Sequence, residues 1–554
     1  MNRIVLLRRG GAAVEAREYA DDGPPRVAGL PVEALAGFVR ERERESEPVR
    51  WVWDDTTRWY PALLEAGVRV ERCTDLRLSH ALLRRSPFVD RALLADGETP
   101  GWDALQPVTA TDPGLFPLED PADRLDPVAE HERQRAAVAA STEPGRLGLL
   151  LAAESSGALV AAEMTHAGLP WRADVHESLL TGLLGPRPPA GRRPPVLERL
   201  AAEIRDAFAA PGLNPDSPAE LLRALQAAGL EVSDTRSWTL EQLDHPGLPA
   251  LLEYKKLSRL LQANGWAWLD SWVRDGRFRS YFLPGGVVTG RWASNGGGAL
   301  SVPTQVRAAA VADDGWRFVV ADVAQLEPRV LAGMSGDAAM AEAARAADLY
   351  EGMVAGGAVA TRAQAKVGML GAMYGGTRGE SGRMMPRLTR RYPRAIGLVE
   401  AAARAGERGE VVHTLLGRGS PAPTGAWAER AAALGEPPDR VGPRDEQDRH
   451  RRAWGRFTRN FVVQGTGAEW TLCWLADLRN RLWRLGGTGS VDERPHLVFF
   501  LHDEVLVHAP EHLADGVAAE VRSAADTAGR LLFGSFPVDF PLDVAVVRSW
   551  AEAG

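Results

Sequence analysis

Two short apolar segments that lie far apart in the chain each run into an aspartate, and they constrain its fold more than any other feature. Phe318–Ala321 leads into Asp322, and Leu497–Leu501 leads into the sequence HDE, which contains Asp503, before the apolar run Val505–His508. Such short apolar runs predict β-strands, and the last two predict a tight hairpin with acids at its tip. Two carboxylates that meet from adjacent strands provide the oxygen ligands that two divalent ions need for in-line phosphoryl transfer.

Each aspartate taken alone has a simpler interpretation. Asp322 stands shortly before an apolar stretch with an early proline, as in the first turn of a helix, so it is also a candidate N-cap. Polar hairpin tips are usually solvated turns. The two sites together favour metal binding, because Asp322 and Asp503 each have a second acid nearby, Glu327 and Glu504. Since the sequence has no Cys/His cluster for zinc, we expect magnesium, with manganese as a substitute.

The segment TRAQAKVGMLGAMYGG, which begins at Thr361, predicts a helix with a charged stripe. Thr361 and Gln364 fit a capping box, which marks a helix start. Residues spaced four apart then follow one side of the helix over about 18 Å. They are Arg362, Lys366, Leu370 and Tyr374. The stripe predicts a site for an anion such as a triphosphate; an amphipathic helix with a basic rim is the alternative.

The distribution of charge favours an anionic ligand for this part of the chain. The net charge of the protein is −8, yet residues 361–460 carry 19 Lys and Arg against 10 Asp and Glu. This basic segment predicts phosphate binding, although a solvated arginine-rich face explains the count equally well. Only three of the 65 Lys and Arg residues are lysines: Lys255, Lys256 and Lys366. Because lysine gives up a proton more readily than arginine, Lys366 is a candidate proton donor or point charge on phosphate.

Length and composition exclude several classes of protein. A chain of 554 residues predicts three or four domains. The sequence has no apolar run of about eighteen residues, so we expect no membrane span. The two cysteines, Cys73 and Cys473, form neither a disulfide framework nor a metal site, which indicates a reducing, cytoplasmic location.

The motifs resemble those of family A DNA polymerases, the DNA polymerase I type. DVAQLEPRVLAGMSGD is similar to the family's first motif, RAQAKVGMLGAMYG to its second and LHDEVL to its third. The segments TGRWAS and LLEYKKLSRL upstream, RFTRNFVVQGTGAEW further on and the C-terminal RSWAEAG also resemble family segments. All seven occur in family order over residues 150–554.

The resemblance implies a role for each matching residue. Asp322 and Asp503, with the backbone carbonyl of Val323, would bind two magnesium ions, and Lys366 would protonate the leaving pyrophosphate. Asp322, Asp503 and Lys366 are thus the implied catalytic residues. The residues implied to bind the incoming deoxynucleoside triphosphate are Gln325, Glu327, Arg362, Lys366, Leu370, Tyr374 and His502. Those implied to bind DNA are Arg291, Arg456, Asn460, Gln464 and Glu504.

Several residues depart from the family pattern. Leu370 replaces the aromatic residue of the second motif. Val323 and Ala324 replace Tyr-Ser in the first motif, and Pro328 replaces Leu. None of these changes removes a metal ligand, so we expect activity to be retained. Glu327, next to Pro328, is implied to crowd the sugar 2′ position and exclude ribonucleotides.

The N-terminal region resembles part of the family's 3′–5′ proofreading domain but lacks its metal ligands. The first strand has RIVLLRRGG with no Asp-x-Glu, and Trp59 stands where the next aspartate of the family falls. We therefore expect a degenerate α/β, RNase H-like exonuclease remnant with no exonuclease residues, and no 5′ nuclease domain. Asp54, Asp55 and Asp75 are expected to be surface acids.

The predicted fold is an α+β right-hand polymerase. Its predicted segments are 1–130 (exonuclease-like domain), 131–265 (thumb and connection), 266–340 (palm, first part), 341–455 (fingers) and 456–554 (palm, second part). The predicted function is DNA-templated addition of deoxynucleotides to a primer 3′ end, in replication or repair, by a cytoplasmic, nucleoid-associated monomer. Its predicted partners are primer–template DNA and deoxynucleoside triphosphates, and no membrane.

Three other functions are alternatives to this prediction. The first is a bifunctional polymerase with residual 3′–5′ exonuclease activity. The second is a catalytically silent DNA-binding protein. The third, an HD-type phosphohydrolase at His502 and Asp503, is less well supported because further histidine ligands at helical spacing are missing.

Overall fold

The structure is a computed structural model, and it describes residues 2–9, 13–19, 24–94, 101–108, 125–376, 379–423 and 443–553. The chain divides into two compact units. Unit one comprises Met1–Ala167, Tyr281–Asn295 and Gly315–Val546, and unit two comprises Gly168–Ser280, Gly296–Asp314 and Val547–Gly554. The five segment boundaries expected from the sequence stay predictions.

The described residues form strands and helices in the following chain order. The strands are β1 (Arg3–Arg8), β2 (Ala13–Tyr19), β3 (Arg26–Pro31), β4 (Arg50–Trp53), β5 (Cys73–Asp75), β6 (Leu169–Pro170), β7 (Val273–Arg274), β8 (Arg277–Phe278), β9 (Tyr281–Leu283), β10 (Ala293–Asn295), β11 (Trp316–Val323), β12 (His496–Leu501), β13 (Glu504–Pro510) and β14 (Leu542–Val547). The helices are α1 (Leu35–Arg42), α2 (Thr56–Glu65), α3 (Leu76–Leu83), α4 (Gly101–Ala104), α5 (Pro127–Ala139), α6 (Pro144–Ala167), α7 (Ala173–Leu184), α8 (Pro195–Ala207), α9 (Pro218–Ala227), α10 (Ser237–Leu240), α11 (Leu248–Asn264), α12 (Trp266–Trp272), α13 (Leu326–Ser335), α14 (Ala338–Ala344), α15 (Leu349–Ala355), α16 (Arg362–Tyr374), α17 (Gly379–Arg391), α18 (Pro393–Glu407), α19 (Pro443–Leu485) and α20 (Ala514–Phe533).

The N-terminal part of unit one is a five-stranded sheet with the order β3-β2-β1-β4-β5. β1 pairs antiparallel with β2 and parallel with β4, and β4 pairs parallel with β5. The strands form from apolar runs such as Ile4–Leu7, whose side chains are all buried. Trp51 and Trp53 of β4 are also fully buried in the core of this region. β1, β4 and β5 are therefore parallel to one another, and the carboxyl ends of β4 and β5 lead into α2 and α3.

The expectation that Asp54, Asp55 and Asp75 are surface acids is wrong, because all three side chains are buried. Asp55 accepts from the N–H of Thr57 and caps α2, and Asp75 caps α3 by accepting from the N–H of Leu78 at 2.9 Å. Burial, and then the neighbouring charge of Asp55, raise the pKa of Asp75 to about 7. Asp55 and Asp75 are inside because the helix starts that they cap lie at the buried edge of the sheet, and Asp54 accepts from the indole N–H of Trp59.

The sheet that carries the two sequence-predicted aspartates has the order β12-β13-β11-β14. β11 pairs antiparallel with β13, so that Asp322 lies opposite Glu504. β12 and β13 form the predicted tight hairpin, with a register shift between Leu497 and Phe499. Asp322 lies inside β11, and Gln325 occupies the N-cap position of α13. The alternative of Asp322 as a helix N-cap is therefore wrong.

Helices surround this sheet in unit one. α19 packs against α6, α18 and α20, and α16 packs against α15 and α17. Of the helices that the structure describes, α6 alone is long and apolar enough to cross a membrane by length and composition, and 67% of its most apolar window is buried inside the protein. A buried apolar helix of this length is equally typical of a protein core.

Unit two is mostly helical. α8 and α11 pack together around a core that includes Leu200, Leu251 and Tyr254. Ser217 is the N-cap of α9, where its side chain accepts from the N–H of Glu220. β6, β8 and β7 form a small antiparallel sheet in the same unit.

Candidate active site

The β11–β13 ladder brings the two aspartates together. Asp322 is exposed at the end of β11, opposite Glu504. The N–H of Val323 donates to the backbone carbonyl of Asp503 at 3.1 Å, so Asp503 lies one residue along the ladder. His502 adopts a φ of 59°, which is uncommon for a residue with a side chain and allows the abrupt turn between β12 and β13. The prediction that the two aspartate-bearing segments lie on adjacent strands is confirmed, and metal binding by the two carboxylates stays a prediction.

A pocket beside these strands gathers further residues singled out from the sequence. Its lining includes Arg291, Glu327, Gln464, His502 and Asp503. Burial raises the pKa of the Asp503 carboxyl, and the charge of Arg291 opposes this rise. Burial, and then the same Arg291 charge, lower the pKa of the His502 imidazole. In this pocket, burial therefore opposes the charged form of both the Asp503 carboxyl and the His502 imidazole.

Glu327 is held from two sides. Arg291 donates to one carboxylate oxygen of Glu327 at 2.6 Å, and the hydroxyl of Tyr374 donates to the other, also at 2.6 Å. Burial, and then this bond to Glu327, raise the pKa of the Tyr374 phenol. Both oxygens of Glu327 are thus bonded, which fixes its side chain between the β9–β10 loop and α16.

The stripe predicted on α16 is confirmed as an exposed side of the helix. Thr361 accepts from the N–H of Gln364 at 3.2 Å, so the helix begins where its capping residue predicts. Leu370 and Tyr374 are 38% and 40% exposed although both are large, and Lys366 is also exposed. The opposite side is buried, at residues that include Ala365, Gly368, Met369 and Ala372.

Arg362, the first residue of the stripe, already has a partner within the protein. Its guanidinium donates to the Asp348 carboxylate at 2.7–2.8 Å. Partial burial opposes ionisation of Asp348, but the bond from Arg362, together with the bonds from the N–H groups of Glu351 and Tyr350, lowers the pKa of the carboxyl. An anion that binds Arg362 therefore competes with Asp348.

A second stripe runs along α19. Arg456 is exposed, and Asn460 and Gln464 are half-buried, at intervals of four residues. The aliphatic stem of Arg456 packs over Gly375, where an added Cβ would lie 2.6 Å from Arg456 Cγ. Gly375 has a φ of 80° and ends α16. The two stripes therefore meet at the carboxyl end of α16.

The model of DNA polymerase family A matches residues 196–552, which is more than half of the chain. The chain belongs to DNA polymerase family A. The family A assignment expected from the sequence motifs is thereby confirmed.

Individual relatives place the match in the polymerase part of longer family A proteins. The thermostable DNA polymerase I of Thermus filiformis is 27% identical over 342 residues, which are 56% of this chain and 37% of that protein. DNA polymerase I of Chloroflexus aurantiacus is 26% identical over 370 residues, which are 61% of this chain and 36% of that protein. The chain thus spans less than two fifths of the length of these curated relatives.

A solved structure shows the fold. The polymerase domain of Pol1 from M. smegmatis, in complex with DNA primer-template and dNTP, superimposes with a TM-score of 0.67 at 20% identity. The match covers 100% of this chain and 95% of that chain. The chain therefore has the mixed helix and sheet fold of a family A polymerase domain.

Family A polymerases use divalent metal ions, and the donors of this chain fit such ions. Asp322 on β11 and Asp503 in the turn between β12 and β13 are hard oxygen donors, and the N–H of Val323 donates to the carbonyl of Asp503. Among the described residues, no group of three or more His, Cys, Asp or Glu side chains forms a complete site. Magnesium commonly binds one or two carboxylates and takes the rest of its ligands from substrate phosphates and water, so this incomplete set is suitable.

Gln325 differs from the other predicted nucleotide-binding residues. It has a φ of 49°, and its side-chain oxygen accepts from the N–H of Leu349 at 3.1 Å. Arg329 donates to the same oxygen at 3.4 Å. In this structure the Gln325 side chain joins α13 to α15, and its role toward a nucleotide stays a prediction.

Sequence reasoning missed Arg418 and Glu154. The two side chains are buried and form an ion pair at 2.6 Å, although 264 residues separate them. A Cβ added to Gly290 would lie 2.6 Å from Arg418 Nε, and Gly290 precedes Arg291. No local sequence pattern predicts this pair; the glycine of the sequence TGR, Gly290, was the available signal that another group approaches closely.

Proposed function

We propose that this protein is a DNA-directed DNA polymerase that adds deoxynucleotides to a primer 3′ end, using deoxynucleoside triphosphates and primer–template DNA. The meeting of Asp322 and Asp503 on paired strands beside the exposed α16 stripe carries this proposal. Membership in DNA polymerase family A supports it. So does the likeness to a polymerase domain that was solved with primer-template and dNTP.

Each residue of the site has a part in this reaction. Asp322, Asp503 and the carbonyl of Val323 would hold two magnesium ions, which supply positive charge to the reacting phosphate. Arg362, released from Asp348, and Lys366 bind the triphosphate, and Lys366 gives a proton to pyrophosphate as it leaves.

The remaining residues position the sugar and the DNA. Glu327, with its two oxygens fixed, faces the sugar 2′ position, and Leu370 lies beside the sugar. Tyr374 stacks near the template base. The side chains assigned to the primer–template are Arg291, Arg456, Asn460, Gln464 and Glu504, and His502 is assigned to the incoming nucleotide, near the primer end. Minor-groove acceptors are alike in every correct base pair, so such contacts check geometry without reading sequence.

Primer extension tests the proposal directly. We expect Asp322→Ala and Asp503→Ala to abolish extension while primer–template binding is largely kept, because arginine contacts with phosphates supply most of the affinity. Extension of a labelled primer, followed on a gel, measures activity. Fluorescence anisotropy of labelled primer–template measures binding separately. Extension by either variant at the rate of the unchanged protein would show that the assignment of the metal ligands is wrong.

We also propose that the N-terminal region is an exonuclease-like remnant without proofreading activity. The strand order β3-β2-β1-β4-β5 supports a related α/β fold. β1 ends at Arg8, whose guanidinium lies over the ring of buried Trp59 at 5.0 Å. Asp55 and Asp75 are used as helix caps. The Arg8 guanidinium and the Trp59 indole cannot serve as the carboxylate ligands that a two-metal site needs, which supports the loss of this activity.

A mismatched primer tests for proofreading. With magnesium and no nucleotides, we expect the 3′-mismatched primer to stay intact. A digestion ladder that persists in the Asp322→Ala variant would reveal a second active site and support the bifunctional alternative.

A role in DNA replication or repair in the cytoplasm, near the nucleoid, as a monomer, belongs to the same proposal. Cys73 and Cys473 are both free and buried, which supports a reducing compartment.

A further inference from the structure

Arg329 of α13 is a buried charged side chain to which the site described above gives no role. The side chain is 0% exposed. None of its hydrogen bonds to described residues goes to a carboxylate, because the acceptors are five backbone carbonyls and the side-chain oxygen of Gln325. Burial lowers the pKa of the guanidinium to about 10, so it stays charged at neutral pH. A buried charge without an ion-pair partner is costly, and the bonds to these acceptors offset that cost.

The acceptors belong to three segments that are distant in the chain. Nε donates to the carbonyl of Ala324, directly after β11, at 2.8 Å. Nη1 donates to the carbonyl of Asp539, which precedes β14, at 3.0 Å. The terminal nitrogens also donate to carbonyls at the end of α14 and in the turn that follows it, which are those of Ala344, Ala346 and Ala347. Arg329 therefore joins the end of β11 to the turn between α14 and α15.

The end of β11 has a backbone conformation that needs such support. Gln325, the residue after Ala324, has a φ of 49°, which is uncommon for a residue with a side chain. Conformations of this kind persist only where the surrounding structure holds them in several ways. The Gln325 side-chain oxygen accepts from the N–H of Leu349 at 3.1 Å and from Arg329 at 3.4 Å. Arg329 is thus one of the groups that fix the path of the chain after β11.

The two joined segments lead to the two halves of the candidate site. On one side, Asp322 lies two residues before Ala324 on β11. On the other side, the turn between α14 and α15 leads directly into Asp348. One oxygen of Asp348 caps α15, and the other accepts from Arg362 at 2.7–2.8 Å. Because α15 also packs against α16, the position of Arg362 relative to Asp322 depends on the bonds that Arg329 makes.

We propose that Arg329 is a positioning residue for nucleotide addition. It holds the end of β11 and the start of α15 in a fixed relation, and so keeps Asp322 and Arg362 correctly separated. This inference rests on the proposed polymerase function, because it needs Asp322 to serve the metal ions and Arg362 to bind the triphosphate. Arginine suits this task, since its rigid fork carries five donors on three nitrogens, whereas lysine has three donors on one nitrogen. Lysine at this position would keep the charge but leave several carbonyls without a donor.

Single-turnover nucleotide addition over a range of nucleotide concentrations tests the inference. We expect Arg329→Lys to lower the maximum rate by about 10–10²-fold, the effect that small misplacements of reacting groups have, and to weaken nucleotide binding. Primer–template binding, measured by fluorescence anisotropy, should stay unchanged. Arg345→Lys is the matched control, because Arg345 is an exposed arginine of the same turn that pairs with Glu342 at 3.3 Å. This control should alter none of the three quantities.

A double-mutant cycle separates positioning from a general loss of stability. If Arg329 acts through Arg362, the weakening of nucleotide binding by Arg329→Lys should be at least about threefold smaller in the Arg362→Ala background than in the unchanged protein. A merely structural role predicts the same weakening in both backgrounds. Independent effects of the two changes would therefore overturn the inference.

A second variant tests the same link with Arg329 in place, which matters if Arg329→Lys does not fold. Ala346→Gly/Ala347→Gly keeps both carbonyls but gives the turn more conformational freedom. Neither alanine is buried, so little packing is lost. We expect slower nucleotide addition and weaker nucleotide binding, with primer–template binding kept.

Circular dichroism and thermal melting show which variants are folded. Unchanged nucleotide addition in the folded glycine variant, or in folded Arg329→Lys, would overturn the inference. Absence of primer extension by the unchanged protein would instead contradict the proposed function.

Discussion

At the scale of single residues, Lys366 is the most informative side chain. It is exposed on α16, one turn after Arg362, and it is one of three lysines in a chain that otherwise uses arginine. Arginine keeps its proton under all ordinary conditions, whereas lysine exchanges one. A requirement for positive charge alone does not explain lysine at this position, whereas a requirement for proton transfer does.

We expect Lys366→Arg to keep nucleotide binding and to lower the rate of nucleotide addition by roughly 10²–10⁴-fold, the usual contribution of general acid catalysis. Lys366→Ala should in addition weaken nucleotide binding, because it also removes the charge. Single-nucleotide incorporation under single-turnover conditions separates the two constants. If the arginine variant is as fast as the unchanged protein, Lys366 acts only as a positive charge and does not donate a proton.

At the scale of elements, the loop between β9 and β10 depends on a buried ion pair. Glu154 of α6 and Arg418 are buried against this loop. Gly285 and Gly290, with φ of 62° and 90°, leave room for them. The loop carries Arg291, which in turn bonds Glu327 at 2.6 Å. Arg418 is thus a positioning residue that acts on the site through the loop.

We expect Arg418→Lys to lower the rate of extension by up to about 10²-fold, because small misplacements of groups around a reaction have effects of this size. Discrimination between deoxy- and ribonucleotides should fall as well, since Arg291 no longer holds Glu327 firmly. Arg404→Lys, an exposed change on α18, is the control and should affect neither quantity. Unaltered sugar discrimination in Arg418→Lys, together with a lower melting temperature, would indicate a purely structural role.

At the scale of the whole chain, one buried cluster joins the N-terminal region to α19 within unit one. Arg479 donates to both oxygens of Glu163 and to the carbonyl of Glu71. The Tyr60 hydroxyl also donates to Glu163, at 2.6 Å. Burial opposes ionisation of Glu163, but the charges of Arg479 and Arg69, together with the hydrogen bonds from Arg479 and Tyr60, lower the pKa of the carboxyl. A region proposed to have lost its catalysis is thus retained as part of the core.

We expect Arg479→Met to destabilise the protein by about 3–5 kcal/mol, the usual effect of removing one partner of a buried ion pair. Adding Glu163→Gln should restore part of this loss, because the buried charge left behind is removed too. Arg484→Met, an exposed change on the same helix, should alter stability by less than about 0.5 kcal/mol. Urea unfolding followed by tryptophan fluorescence measures all three. A loss for Arg479→Met as small as that of the control would contradict the coupling.

The sequence by itself determined the local elements and the parts of the site that lie on them. The β12–β13 hairpin and the α16 stripe follow from short apolar runs, a capping threonine and four-residue spacing, because their hydrogen bonds join neighbours in the chain. The family was likewise predicted from short sequence motifs.

Only the tertiary structure decided which charged side chains are buried. Asp54, Asp55 and Asp75 were expected outside and lie inside. Arg418 finds Glu154 across 264 residues and Arg479 finds Glu163 across 316. A charged side chain is stable inside only where packing brings a distant partner to it, and no local pattern in the chain records that meeting.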